Sequence, residues 1–252
     1  MSAPLSDDSS APPAPADPPV PTHRWGFGAF LLVFAVFVLS AVVIAALMGL
    51  ASPQQEDPIA VVLVGTMVPP LLATGVALLI TKLRGNGPVL DLKLSYNRED
   101  LRIGLKFGFA GLVLTTVAAA IWSRLVGDGD ATSAIGALVD GQAMPVSAAI
   151  ALFLYVWLIG PLCEEIMYRG LLWGSLERLQ WGRWAVFGLT TVIFAVSHLE
   201  PMRTSLLLVI GIPIGLARLY SGRLGASVVA HQVNNFLPAL SVMLISLGVW
   251  DA

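Results

Sequence analysis

The sequence predicts an all-α, polytopic transmembrane bundle of about seven spans with its N-terminus in the cytoplasm. Three observations lead there. Of the 252 residues, 56% are hydrophobic and 12% charged, with a mean hydropathy of +0.81. A soluble globular domain carries about 25% charge. Several stretches run about 20 residues almost without charge, enough to cross a ~30 Å hydrocarbon core. The basic residues are also one-sided. With the N-terminus inside, Arg24, Lys82, Arg84, Lys93, Arg98, Arg102, Lys106, Arg178, Arg183, Arg218 and Arg223 lie at or near cytoplasmic ends. Only Arg124 and Arg203 fall toward the outside, and the connections 52–57 and 127–145 contain no Lys or Arg. That asymmetry fixes the orientation.

Residues 1–22 are mostly Pro, Ala, Ser and Asp, without the basic start and apolar core of a signal peptide. They lack the apolar surface to fold and read as a disordered cytoplasmic tail. Residues 23–252 form the transmembrane domain. The first span runs about Trp25–Leu50, the second Pro58–Thr81 and the third Ile103–Arg124. Pro69-Pro70 is expected to kink the second.

The fourth span starts near Val146. If Val146–Gln180 is one helix it is ~50 Å long at about 1.5 Å per residue, so it must protrude, tilt or bend. Gly160-Pro161 is the expected bend, because proline removes a backbone donor and frees a carbonyl beside Glu164. Gln180-Trp181-Gly182 reads as a turn. The fifth, sixth and seventh spans are about Trp184–Leu199, Thr204–Tyr220 and Leu224–Trp250.

Ionisable groups inside such spans cost a few kcal/mol each on insertion scales, about 2.5 to 3.5 for a charged side chain. Glu164, Glu165, Arg169, His198 and His231 all fall there. Glu164 and His198 stand equally far from Trp181. In an antiparallel hairpin that means equal depth. Glu165 and Arg169 are i and i+4 in the favoured order for an intrahelical ion pair. Glu164 is rotated about 100° from Glu165, which leaves it for proton chemistry. His231 and Asn235 share one face of the seventh span, as Phe194 and His198 share one face of the fifth.

These residue types are the parts of an amide hydrolase. A glutamate in a wet cavity can take a proton from water, and a histidine can orient that water or carry the proton. A second histidine with an asparagine can bind a developing oxyanion. The same His/His/Glu set can hold a divalent metal such as zinc, although the chain has no HExxH motif. Cys163 is the single cysteine, so no intrachain disulfide forms; it reads as a structural side chain. The scattered basic residues give no nucleic-acid signature.

Three short stretches resemble one family. Glu164-Glu165-Ile166-Met167-Tyr168-Arg169 is similar to its EExxxR motif, Phe194 to His198 to its FxxxH motif, and His231 to Asn235 to its HxxxN motif. The family is that of the CPBP intramembrane proteases, also called the Abi, CAAX-protease and bacteriocin-processing family. The resemblance covers about 146–240, the expected catalytic core. It implies that Glu164 activates water with help from His198, that His231 and Asn235 form the oxyanion site, and that Glu165 and Arg169 support them. It leaves open whether a glutamate or a metal-assisted water does the chemistry. It implies a peptide or protein substrate, CAAX-type and prenylated, otherwise lipidated, or bacteriocin-like. The protein is expected to be multi-pass in a bacterial plasma membrane, with its cavity facing the cytoplasm where the fourth helix protrudes. The alternatives are a proton-coupled transporter, against which the sequence shows no internal repeat of the sort many transporters have, and a catalytically silent scaffold or immunity protein.

Overall fold

A computed structural model describes residues 23–51, 58–126 and 133–250. The expected disordered tail, 1–22, lies outside the described residues.

The described residues form an all-α bundle. The order is α1 (Phe27–Ala51), α2 (Pro58–Arg84), a short α3 (Pro88–Asp91), α4 (Arg98–Val126), a short α5 (Ala134–Val139), a long composite α6 (Val146–Arg178), α7 (Arg183–Val196), α8 (Thr204–Ser221) and α9 (Leu224–Ser246). Six of these are long and apolar enough to cross a membrane: α1, α2, α4, α6, α8 and α9. The expected fifth span is different. Helix α7 has 14 residues, about 21 Å at 1.5 Å per residue, and is too short to cross alone. It stops at Val196, so His198 sits on the turn beyond it rather than within a helix.

Two packing arrangements hold the centre. Trp25, Phe30, Val33, Ala73 and Ala77 from the α1–α2 side form one buried cluster with Ile166, Leu171, Leu172 and Trp173 of α6. Helix α4 instead meets α8 and α9 through glycines. A Cβ on Gly104 would stand 2.6 Å from Val229 Cβ, and one on Gly108 would stand 2.7 Å from Val233 Cβ. One on Gly111 would stand 2.8 Å from Pro213 Cγ. Small residues at such spacing let two membrane helices approach closely. That contact presses α9, which carries His231, into the bundle. The outer faces remain apolar and exposed, for example Leu39, Leu47, Val113 and Leu125, as a lipid-facing surface requires.

Helix α6 does bend its hydrogen bonding at the expected place, by widening rather than breaking. Two π-helical stretches, Tyr155–Ile159 and Ile166–Leu172, flank the α-helical Gly160–Glu165. The π turn before Pro161 accommodates the missing N–H. The carbonyls released there find partners on α9: Gln232 Nε2 donates to Leu158 O at 3.1 Å, and Asn235 Nδ2 to Val156 O at 3.4 Å. Backbone groups at membrane depth need such replacement partners.

Most of the basic residues gather at one end of the bundle. Lys93 pairs with Glu177 at 3.0 Å, and Arg223 with the buried Asp100 at 2.9 Å. Arg218, expected at or near a cytoplasmic end, is buried. It is 2% exposed, its Nε donates to Arg169 O at 3.1 Å, and its guanidinium lies over the Trp173 ring.

Candidate active site

The site is built from α6, the turn after α7, and α9. Helix α6 supplies Glu164 and Glu165, which point in different directions as their 100° rotation requires. Glu165 and Arg169 are fully buried, whereas the Glu164 side chain is 31% exposed.

Glu165 does more than meet Arg169. Its Oε1 accepts from Arg169 Nη1 at 2.9 Å and faces His231 Nδ1 at 3.0 Å. One carboxylate therefore holds an arginine of its own helix and a histidine of α9. Arg169 also reaches Gly211 O on α8 at 3.4 Å and lies over the Phe194 ring, 4.3 Å from its centroid. Three helices, α6, α7 and α8, meet at this one cation.

The turn after α7 places His198. Its Nδ1 contacts Phe194 O at 2.8 Å. A carbonyl can only accept, so Nδ1 carries a hydrogen, and in the neutral ring Nε2 is the acceptor. Ser197 Oγ donates to Phe194 O at 2.9 Å and bonds the Tyr168 hydroxyl at 2.5 Å, tying this turn to α6. Phe194 packs edge-on to both His198 and His231, with centroids 4.7 and 5.7 Å away.

Glu164 is the meeting point. Its Oε2 lies 3.7 Å from His231 Nε2 and 4.0 Å from His198 Nε2. Both distances exceed a direct hydrogen bond. They suit a water that bonds to both partners at about 2.8 Å. Asn235 lines the same cavity, with its amide nitrogen turned to Val156 O. The six residues singled out in the sequence thus come from three elements to one locality. Tyr168 and Ser197 were not singled out. Tyr168 lies inside the EExxxR stretch and Ser197 precedes His198, but nothing in the sequence alone joins them.

Two cavities share Glu164 and His198. One, about 310 Å³, is apolar and runs between α1, α2 and α6 past Phe37, Val42, Pro70 and Met167. The other, about 190 Å³, is more polar and includes His231, Asn235, Glu200, Arg203 and Ser133. It extends from Glu164 toward the end of the bundle that holds α5, away from Arg178. The sequence led us to expect an opening at the protruding, Arg178 end of α6. The protrusion is instead filled by packing of Trp173, Ser175 and Leu176 against the rest of the bundle.

A zinc ion was the other option for Glu164, His198 and His231. Ligands sharing one tetrahedral ion at 2.0–2.1 Å stand about 3.3 Å apart. The separations from Glu164 Oε2 are wider. Among the described residues no group of three or more His, Cys, Asp or Glu is gathered closely enough to hold a metal. These residues do not fit a preformed metal centre.

Residues 146–237 match the family model described as type II CAAX prenyl endopeptidase Rce1-like. That segment is similar to the Rce1-like family. The match begins with α6 and ends within α9, so it contains all six residues of the site. It agrees with the CPBP/CAAX kinship that the three motifs suggest, and the family it matches is one of proteases. No curated protein and no solved structure matches the chain.

Proposed function

We propose that this chain is an intramembrane endopeptidase in which Glu164 activates the attacking water. The observation that supports it is the placement of Glu164 Oε2 at 3.7 and 4.0 Å from two imidazole Nε2 atoms. That spacing leaves room for one water between acid and base.

The proposed reaction uses His231 with a hydrogen on each ring nitrogen, Nδ1–H donated to Glu165 and Nε2–H on the side of Glu164. Glu164 takes a proton from water, and the oxygen attacks the scissile carbonyl. His198 Nε2 accepts the water's second hydrogen and holds its lone pair in line. The carbonyl oxygen becomes an oxyanion and takes hydrogen bonds from His231 Nε2–H and from the Asn235 amide. Glu164 then gives its proton to the departing nitrogen, and the C–N bond breaks. Glu165 keeps His231 oriented, as a carboxylate does for a histidine in other hydrolases.

The apolar cavity beside Glu164 suits a substrate that carries a lipid chain near the cleaved bond. A prenylated CAAX-type peptide meets that description, and the family description names such a substrate. Purified protein should cleave a quenched farnesylated peptide and leave the same peptide without its lipid largely intact. Equal cleavage of both forms removes the lipid from the proposal. No cleavage of either by the wild type, at any site, removes the peptidase.

A further inference from the structure

A third cavity, of about 340 Å³, lies between the start of α1 and the end of α2. Trp25 borders it and accepts from Arg178 Nη1 at 3.0 Å through its carbonyl, which places the cavity at the Arg178 end of the bundle. Arg24 and Arg84 form its rim, joined by the backbone bond from Arg24 N to Arg84 O at 2.7 Å. Gly26, Gly28, Leu32 and Ile80 also line it, and no acidic residue does.

The two arginines differ from other basic residues at this end. Lys93 is paired with Glu177 and Arg223 with Asp100. Arg24 and Arg84 are exposed, and among the described residues neither side chain has an ion-pair or hydrogen-bond partner. Asp91 is engaged elsewhere, by Trp25 Nε1 at 2.8 Å and by Asn86 at 3.0 and 3.1 Å. Helix α1 adds to the positive charge, because a helix start carries partial positive charge and its first turn holds no acidic residue. A Cβ built on Gly26 or Gly28 meets nothing within 4 Å, so this backbone stands open.

Next to the arginines the surface turns apolar. Leu31, Leu32 and Leu79 are exposed, on the faces of α1 and α2 that meet acyl chains. The cavity therefore spans the level at which headgroups give way to hydrocarbon. An occupant that satisfies both parts carries compact negative charge followed by apolar chains. Guanidinium groups bind phosphate oxygens in pairs, and basic pockets between membrane helices hold anionic headgroups. A soluble anion gains nothing from Leu32 and Ile80.

We infer that this cavity binds an anionic glycerophospholipid, its phosphate held by Arg24, Arg84 and the first turn of α1, and its acyl chains laid along Leu32 and Ile80. A zwitterionic lipid brings a cationic headgroup for which the cavity has no carboxylate, so a lipid of net negative charge is preferred. The bound lipid joins α1 to α2, which further along line the apolar cavity beside Glu164 through Phe37, Val42 and Pro70.

The test reads lipid retention and needs no cleavage. The full chain, purified and delipidated in a neutral detergent, is immobilised and offered equal amounts of dioleoyl-phosphatidylglycerol and dioleoyl-phosphatidylcholine. After washing, the retained lipids are extracted and quantified. Each basic group near the surface contributes about fivefold, so phosphatidylglycerol should be retained at least about tenfold over phosphatidylcholine. Arg24→Gln with Arg84→Gln should erase that preference. Both residues are exposed, so the melting temperature in detergent should not change. Gly28→Leu keeps both charges, fills the open floor and should lower phosphatidylglycerol retention. Arg98→Gln with Arg183→Gln removes as much charge outside the cavity and should leave the preference intact. Equal retention of the two lipids by the wild type overturns the inference. So does a preference that survives the Arg24 and Arg84 substitutions, or one that the Arg98 and Arg183 substitutions reduce as far. Release of the retained phosphatidylglycerol by inorganic phosphate alone, without added lipid, would make this a site for a free anion and likewise overturns it.

Discussion

His231 turns its Nδ1 to Glu165 Oε1 at 3.0 Å, so the buried carboxylate that neutralises Arg169 also sets the orientation of the histidine facing Glu164. The first prediction concerns this contact. Glu165→Ala removes the carboxylate that Arg169 and His231 share. A buried cation left without its partner costs about 3–5 kcal/mol. The variant should show a clear fall in melting temperature in detergent. Glu165→Gln keeps the volume and should lose less stability. Its activity should nevertheless fall strongly, because an amide does not orient His231 as the carboxylate does. A Glu165→Gln protein with wild-type activity would disconnect the pair from catalysis.

Asn235 offers a separable test. Its amide nitrogen contacts Val156 O, a carbonyl released by the π turn of α6. The second N–H of that amide is available to the oxyanion. Loss of one oxyanion donor typically costs about 100-fold or more in kcat. Asn235→Ala should therefore lower kcat about 100-fold with little change in KM. A change confined to KM or to melting temperature would leave Asn235 with the backbone role alone.

The glycine seam between α4 and α9 should respond to a single methyl group. An added Cβ at Gly108 stands 2.7 Å from Val233 Cβ, on the helix that carries His231. Overpacking of this kind costs about 1–3 kcal/mol. Gly108→Ala should lower the melting temperature and reduce activity together. Gly75, where an added Cβ meets nothing within 4 Å, is the control; Gly75→Ala should change neither.

The bond between Tyr168 and Ser197 ties α6 to the turn that carries His198. Tyr168→Phe deletes one hydroxyl without changing shape, and a single hydrogen bond contributes about 1 kcal/mol. Ser197 keeps its bond to Phe194 O. The expected outcome is a small loss of stability with a several-fold fall in kcat, as His198 loses part of its support. Thermal unfolding and initial rates on one peptide measure both.

Much of this architecture can be read from residue pattern. Long charge-free runs mark α1, α2, α4, α6, α8 and α9, because bilayer thickness imposes a length that composition reveals. The equal distance of Glu164 and His198 from Trp181 reflects the geometry of a helical hairpin, and the two side chains stand 4.0 Å apart. The i,i+4 spacing of Glu165 and Arg169 likewise appears as a direct bond. Other features depend on packing between distant segments. Hydropathy continues through Val196 and Leu199, so it does not mark where α7 stops. At the stop, Ser197 bonds both Phe194 O and the Tyr168 hydroxyl, contacts that join residues of two helices. Arg218 looks like one more interfacial cation in sequence, yet Trp173 and the Arg169 carbonyl draw it inside. The direction of the polar cavity follows from which half of α6 is packed, and no local pattern records that. Nor does local spacing show that Glu165 serves His231, since the two are far apart in sequence and meet only when α9 docks on α6.

The central claim is that the Glu164 carboxylate, and no other group, takes the proton from the attacking water. The most direct measurement is kcat/KM of Glu164→Gln against wild type on one cleavable peptide, with melting temperatures recorded for both. An amide of the same shape keeps the packing and loses the base. The account predicts a fall of at least about 1,000-fold at an unchanged melting temperature, within the range that general acid–base catalysis and its coupled proton transfer supply. Activity of Glu164→Gln within tenfold of wild type would contradict it.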